Sequence, residues 1–90
     1  MKIVFTEPAL KDIAAIREYL ATHYSQVLSS VERRLRLSLL RISAWPESAQ
    51  EVIERPKVRV VPLIRYPYKI FYRIRRGKVE ILHVHHSSRS

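Results

Sequence analysis

The spacing of apolar residues predicts a short strand followed by two helices in the first half of the chain. Residues 2–5 (KIVF) are β-branched and aromatic after the first lysine, which is typical of a strand. Apolar residues then recur every three or four positions, which predicts helices over residues 7–22 and 26–43. Thr6 can cap the first helix, and the Trp45-Pro46 step ends the second. Because the break between them is short, we expect an antiparallel helix hairpin.

After residue 57, apolar and polar residues alternate instead of recurring at helical spacing, and this pattern predicts three strands. They cover residues 57–63, 68–75 and 78–86, and follow a loop at 46–57 that contains two prolines and three glutamates. Arg76-Gly77 fits a two-residue hairpin turn, in which glycine adopts a positive φ. We therefore predict a single α+β domain over residues 1–90. An N-terminal strand and a three-stranded antiparallel meander form a four-stranded sheet, and the helix hairpin packs on one face.

The turn also predicts which side chains share a face of the last hairpin. An uninterrupted register places Arg73 opposite Glu80, Tyr68 opposite His85 and Pro67 opposite His86. The more apolar face should meet the helices. The other face is open, and Arg59 and Arg65, on or just past the preceding strand, can join it. Its predicted members from the hairpin are Lys69, Phe71, Arg73, Arg75 and His86.

Charge is concentrated in the same part of the chain. The net charge is +9 over 90 residues, and residues 57–90 contain nine basic residues and one acidic residue. A localised positive surface indicates a polyanionic or acidic partner, whereas the alternative is a charged face that is merely solvated. The chain has no cysteine, which excludes disulfides and thiol nucleophiles and is compatible with a reducing cytosol. We see no signal peptide and no apolar run long enough for a membrane span.

The predicted open face has groups suited to anion binding and proton transfer. Arginine can donate two hydrogen bonds to a phosphate or carboxylate, and lysine provides a point charge. His86 is the member of this face that exchanges a proton near neutral pH. Phe71 can stack on a base or receive an apolar side chain. A catalytic site, a docking surface and a solvated edge all remain open at this point.

Metal binding by the histidines is not predicted. His83 and His85 share a face and can supply two ligands, but no cysteine and no nearby aspartate supplies the others that a zinc site requires. The expected alternative is that the histidines lie on the sheet with their hydrogen bonds satisfied and bind no metal. We predict no metal and no cofactor.

Several segments of the sequence resemble the RelE/ParE family of toxins from type II toxin–antitoxin modules. The most specific are residues 59–73, RVVPLIRYPYKIFYR, and the later strand VEILHVHH at 79–86 with a trailing Arg89. The helix segment ALKDIAAIREYL and a long second helix that ends in Trp-Pro are also similar. The resemblance covers essentially the whole chain, and the fold of this family agrees with the one predicted from periodicity.

The resemblance implies two alternative targets, DNA gyrase for ParE-like members and ribosome-bound mRNA for RelE-like members. RNA cleavage needs a base for the ribose 2′-OH, cations for the phosphorane and an acid for the leaving oxygen. In that case Arg59, Arg65 and Lys69 would hold the phosphate and His86 would transfer the proton. However, Ser87 and Ser88 occupy the place where the ribonucleases commonly carry tyrosine. The PY-x-x-x-YR segment and the His-x-x-Arg ending are closer to ParE-like members, which favours gyrase inhibition.

The resemblance also implies a protein partner. We expect a cognate antitoxin that forms a hetero-oligomer with this chain, covers part of the helix hairpin and a sheet edge, and keeps a cytoplasmic toxin inactive. A non-toxic relative that binds protein or nucleic acid is a further alternative. For target or antitoxin binding, the predicted residues are Arg59, Arg65, Lys69, Phe71, Arg73, His86 and Arg89.

Overall fold

Two helices pack against one face of a mixed five-stranded sheet in the computed structural model, which describes residues 1–87. The helices are α1 (Glu7–His23) and α2 (Ser25–Ala44). The strands are β1 (Lys2–Phe5), β2 (Gln50–Val52), β3 (Arg55–Pro62), β4 (Tyr68–Arg75) and β5 (Lys78–His86). Their order in the sheet is β1-β5-β4-β3-β2, with β1 parallel to β5 and the other pairs antiparallel. The predicted α+β architecture is confirmed.

The sheet has one strand more than predicted. Strand β2 lies in the segment that was expected to be a loop, and it pairs with β3 through Gln50 with Val60 and Glu51 with Arg59. Only three residues pair, and two of them are polar and exposed. A strand this short has no alternating pattern that could be recognised in the sequence.

Thr6 caps the start of α1, and a single residue links α1 to α2. The Thr6 hydroxyl accepts a hydrogen bond from the Ala9 N–H at 3.3 Å, as expected of a cap, and donates one to the Ile81 carbonyl at 2.8 Å. Only Tyr24 separates α1 from α2, and an Arg17–Glu32 ion pair at 2.7 Å joins the two helices. Within residues 1–87, neither helix is long and apolar enough to cross a membrane.

The core lies between the helix hairpin and the central strands. The largest fully buried side chains come from β4 and β5 and are Tyr72, Ile70, Ile81 and Val79. The helices contribute the buried residues Ala9, Leu20, Val31 and Ile42. Because residues 68, 70 and 72 are buried, alternation directs residues 69, 71, 73 and 75 to the other face of the sheet.

The turn between β4 and β5 is as predicted, but the register is only partly so. Arg76 and Gly77 have φ of 54° and 73°, which is the backbone of a type I′ hairpin. Arg75 pairs with Lys78, and the predicted register is confirmed as far as Tyr72 with Ile81.

A β-bulge shifts the pairing beyond that point. Phe71 pairs with His83, and Leu82 is the additional residue on β5. The prediction for residues 67–71 is therefore wrong: Tyr68 pairs with His86 instead of His85. The shift places the apolar Val84, rather than a histidine, opposite the fully buried Ile70. Thr6 donates to the Ile81 carbonyl at the bulge and also lies 3.2 Å from the Leu82 carbonyl.

Candidate functional site

The open face of the sheet carries a cationic stripe that consists of Lys69, Phe71, Arg73 and Arg75 on β4. Their common orientation follows from alternation with the buried residues of the same strand. The Lys69 Nζ lies 5.8 Å from the centre of the Phe71 ring, within the range of a cation–π contact. Lys69, Phe71 and Arg73 were predicted to lie on one face, and the structure brings them together.

Arg73, a member of this stripe, forms an ion pair with Glu80 on the neighbouring strand. Its Nε donates to the Glu80 carboxylate at 2.7 Å, in the cross-strand pairing that the sequence predicted. This hydrogen bond, together with the nearby charges of Arg73, Arg75 and Arg76, holds the pKa of Glu80 below its usual range. Glu80 therefore stays ionised at neutral pH and partly neutralises the stripe.

His86 lies on the other side of the sheet, so its predicted place on the open face is wrong. The bulge pairs it with Tyr68, which is buried towards the helices, and the two rings meet edge to face at 5.5 Å. Cross-strand partners share a face, and His86 therefore faces the helix side. A shift of one residue changes the face of every side chain beyond it, which is why the uninterrupted register gave the wrong side.

Arg59 also lies on the helix side, because it pairs with the buried Tyr72. Its Nη1 donates to the carbonyls of Glu47 at 2.9 Å and Ala49 at 2.6 Å. The Tyr72 hydroxyl donates to the Pro46 carbonyl at 2.6 Å. Burial raises the pKa of Tyr72, and the charge of Arg59 opposes this effect. Arg59 therefore fixes residues 46–49 onto the sheet and does not join the cationic stripe.

Arg65 lies in the connection between β3 and β4, where it is exposed. Its φ of 76° is unusual for a residue with a Cβ. The two residues that follow, Tyr66 and Pro67, line the groove described next. Arg89, the last of the predicted site residues, lies outside the described residues.

An open groove of about 850 Å³ separates the helix hairpin from the end of the sheet where β4 begins and β5 ends. It is largely apolar and aromatic, and Tyr19 and Tyr24 are about half exposed at its helical side. Sequence reasoning missed this groove, because its wall combines residues from four separate segments. They are Asp12, Ala15, Ile16, Tyr19, Leu20, Tyr24, Val27, Val31, Tyr66, Pro67, Tyr68, Val84, His85 and His86.

A second cluster forms where α1 meets the outer edge of β5. The Asp12 Oδ2 lies 3.0 Å from the His83 Nδ1, 3.0 Å from the Val84 N–H and 3.9 Å from the His85 Nε2. The expectation that no aspartate lies near these histidines is therefore wrong. Nothing in the local sequence indicated this, because Asp12 is 71 residues away from His83 and lies on a helix.

The predicted phosphate-binding and proton-transfer groups are thus divided between different places. Lys69 is on the open face, His86 is at the groove, and Arg59 is hydrogen bonded to residues 47 and 49. Arg65 is the predicted cation whose chain neighbours share the groove with His86. Between residues 1 and 87, the sheet therefore does not assemble the four groups around one phosphate.

Comparisons with known proteins agree with this fold. The model of the ParE toxin family, described as the ParE toxin of the type II toxin–antitoxin system parDE, matches residues 3–90. A chain of the chromosomal ParDE TA system from P. aeruginosa superposes with a TM-score of 0.83 at 19% identity, covering 96% of this chain and 95% of that one. The isolated E. coli RelE toxin gives a TM-score of 0.71 at 21% identity, covering 99% and 86%.

At these identities the two structures establish a shared fold, and comparison with curated protein sequences gives no significant match. The family model, in contrast, covers nearly the entire sequence, including the hairpin with the cationic stripe. The chain therefore belongs to the family of ParE toxins of type II toxin–antitoxin systems.

Proposed function

We propose that this toxin inhibits DNA gyrase and does not cleave RNA, and that a cognate antitoxin neutralises it. The observation that carries the first part is the separation of Lys69 and His86 to opposite faces of the sheet. Membership of the ParE family supports the same target.

The chemistry of RNA cleavage explains why this separation matters. The 2′-OH, the phosphorus and the leaving oxygen lie within a few ångströms, so the base, the cations and the acid must converge on one point. In this chain His86 has the Tyr68 ring beside it, and Arg59 donates to two backbone carbonyls of the chain itself. Arg65 alone does not supply both charge neutralisation and a second proton-transfer group. The arrangement favours binding over catalysis.

The cationic stripe is the surface that we assign to the target. It combines three cations and an aromatic ring on a central strand of the sheet, so that little backbone freedom is lost on binding. Aromatic and arginine side chains commonly carry most of the binding energy at protein interfaces. Lys69 and Phe71, which already contact each other, would form the centre of this interface.

The antitoxin has a different surface available. The groove between the helix hairpin and the sheet has a largely apolar, aromatic wall and belongs to a chain with a net charge of +9. A segment with apolar and acidic residues that folds as it docks suits both properties. We place the antitoxin segment in this groove. A segment bound there would cover part of the helix hairpin and a sheet edge, as the family resemblance implies.

A supercoiling assay with purified gyrase tests the proposed target. The toxin should inhibit supercoiling, and the double variant Lys69→Ala/Phe71→Ala should require about tenfold more toxin, equivalent to about 1.4 kcal/mol of lost binding. Lys2→Ala, an exposed lysine on the edge strand β1, is the matched control and should leave inhibition unchanged. Undiminished inhibition by the double variant would exclude the stripe as the gyrase-binding surface.

The same preparations test the competing activity of RelE-like proteins. Translating ribosomes with a defined mRNA should leave that mRNA intact at toxin concentrations that block gyrase. The variant His86→Gln should inhibit gyrase as well as the unmodified chain does. Codon-positioned cuts that disappear with His86→Gln would overturn the proposal and establish a ribosome-dependent nuclease. Absence of both activities would identify a non-toxic relative.

Variants in the groove separate antitoxin binding from target binding. Tyr19→Glu and Tyr24→Glu place a negative charge in the wall of the groove and should weaken the complex with the product of the neighbouring gene, measured by calorimetry. Neither tyrosine lies on the cationic stripe, so gyrase inhibition should persist. If Tyr19→Glu and Tyr24→Glu bind the antitoxin as tightly as the unmodified chain, the groove is not its site.

A further inference from the structure

The Asp12–His83–His85 cluster has the composition of a transition-metal site. One carboxylate oxygen and two imidazole nitrogens lie within 4.8 Å of one another, and each side chain is about one-third exposed. The cluster shares no residue with the cationic stripe that the gyrase proposal uses, but it adjoins the stripe, because Phe71 pairs with His83 and its ring lies 5.5 Å from that of His85. Imidazole nitrogen and carboxylate oxygen are ligands that zinc accepts readily.

His83 and His85 lie two residues apart on the same strand, β5. His83 and His85 flank the buried Val84 on β5, so both side chains point away from the core. Their ring centres are 4.7 Å apart. Alternate positions of a strand are about 6.6 Å apart, so the two rings lean towards each other on one side of β5.

Asp12 completes the cluster because strand β1 ends early. β1 pairs with β5 only as far as Ile81, so the outer edge of β5 is not covered by a strand after that residue. The Asp12 carboxylate from α1 covers it, and its Oδ2 accepts the Val84 N–H at 3.0 Å. A backbone donor of this kind orients a carboxylate in the manner of the outer hydrogen bonds that support metal ligands.

The distances are close to those of a tetrahedral site. Metal–ligand distances of about 2.0–2.2 Å place tetrahedral ligand atoms about 3.3–3.6 Å apart. The Asp12 Oδ2 is 3.0 Å from one histidine nitrogen and 3.9 Å from the other. All three ligand atoms lie within 4.8 Å of one another, so side-chain rotations that shorten the widest separation would bring three ligands around one ion. Their partial exposure leaves room for a fourth ligand from water or from a bound protein.

We propose that Asp12, His83 and His85 bind a divalent transition metal of the zinc class, with a fourth position open to solvent. The carboxylate supplies the negative charge of this site. The net charge of the chain and the neighbouring Lys69, which pairs with His85 across the strands, oppose cation binding. Lys69 has its ammonium group directed over the Phe71 ring, so this opposition is not a direct contact between the lysine and the cluster.

His85 distinguishes a metal site from an ordinary hydrogen-bonded cluster. His83 and Asp12 already form a hydrogen bond at 3.0 Å, and this pair needs no ion. At 3.9 Å the His85 Nε2 is too far from Asp12 for a hydrogen bond, but it is close enough for both to share a metal. A metal site therefore requires His85, whereas the hydrogen-bonded pair does not.

Calorimetric titration of the untagged toxin with ZnCl₂ tests the proposal. We expect one saturable zinc per chain and a fall in affinity of at least about tenfold in His85→Gln and in Asp12→Asn. The asparagine retains an acceptor for the Val84 N–H. His23→Gln, an exposed histidine at the end of α1, is the matched control and should bind zinc as the unmodified chain does. Bound Co²⁺ should show the intense visible absorption of tetrahedral coordination.

Two results would overturn the site. One is the absence of saturable zinc binding by the unmodified chain. The other is equal affinity in His85→Gln, which would leave the hydrogen-bonded pair as the whole function of the cluster. If Asp12→Asn fails to fold, the zinc affinity of His85→Gln still tests the site. His85 lies outside hydrogen-bond distance of Asp12 and is not in the core, so we expect this variant to fold.

Discussion

Replacing Arg59 by methionine should destabilise the fold and leave target binding intact, because the guanidinium is bound to the chain itself. The Arg59 Nη1 donates to the carbonyls of Glu47 and Ala49 at 2.9 and 2.6 Å. These bonds hold the segment after α2 against β3. Methionine keeps much of the aliphatic part of the side chain and has no donor. The variant therefore removes the two hydrogen bonds while it changes the packing little.

The structure limits the size of this effect. A hydrogen bond that involves a charged group contributes about 1.5–3 kcal/mol to stability. Both bonds come from one nitrogen, and Glu47 is exposed, so water can replace the donor at its carbonyl. Ala49 is partly buried, and its carbonyl is solvated less readily. We expect the free energy of unfolding to fall by about 2 kcal/mol. For a domain of this size, that corresponds to a Tm lower by roughly 8–16 °C.

Urea unfolding followed by far-UV circular dichroism measures the change. Arg55→Met, at the exposed start of the same strand, is the control and should change stability by less than about 0.5 kcal/mol. Gyrase inhibition by Arg59→Met should match that of the unmodified toxin at a temperature where both are folded. Unchanged stability with lost inhibition would refute this reasoning and show that Arg59 contacts the target.

Three further substitutions test individual features of the fold. Tyr72→Phe removes the hydrogen bond from the buried hydroxyl to the Pro46 carbonyl and should lower the free energy of unfolding by about 1 kcal/mol in urea. Gly77→Ala should cost about 1–2 kcal/mol in the same assay, because alanine is strained at a φ of 73° even though the space around Gly77 is open. The pKa of Glu80 is lowered by its hydrogen bond from Arg73, so its contribution to stability is present above the unfolded-state pKa and is lost as pH falls through the folded-state pKa. Acid unfolding should therefore be shallower in Glu80→Gln across that range.

Periodicity predicted the long elements of this fold well, because each repeats its pattern several times. Helix α2 begins and ends within one residue of the prediction. The Arg76-Gly77 turn was also predicted, since a two-residue loop with glycine at its second position has few alternative conformations. Strand β2 was missed, because its pairing is decided by the neighbouring β3 and not by its own three residues.

The candidate site was predicted less well, because it depends on contacts between distant segments. The bulge after Ile81 decides the face of His86, and its partners include the Thr6 hydroxyl, 75 residues away. In strand β3, Val58 and Val60 share one face, and Arg59 and Val61 share the other. Its own sequence does not indicate that Arg59 lies on the side of Tyr72. The position of Asp12 beside the histidines likewise depends on how far β1 extends along β5.

One additional residue in β5 thus organises the functional surfaces of the molecule. Without Leu82 as the extra residue, an uninterrupted register would place His83 opposite Ile70 and direct it into the core. With the bulge, Val84 takes that position, and His83 and His85 are free to meet Asp12 at the sheet edge. His86 moves to the groove beside Tyr68, away from Lys69 and the cationic stripe. The same bulge that separates His86 from Lys69 also brings His83 and His85 to the carboxylate of α1. The proposed lack of nuclease chemistry and the proposed metal site therefore have a common structural origin, and each is tested by its own measurement.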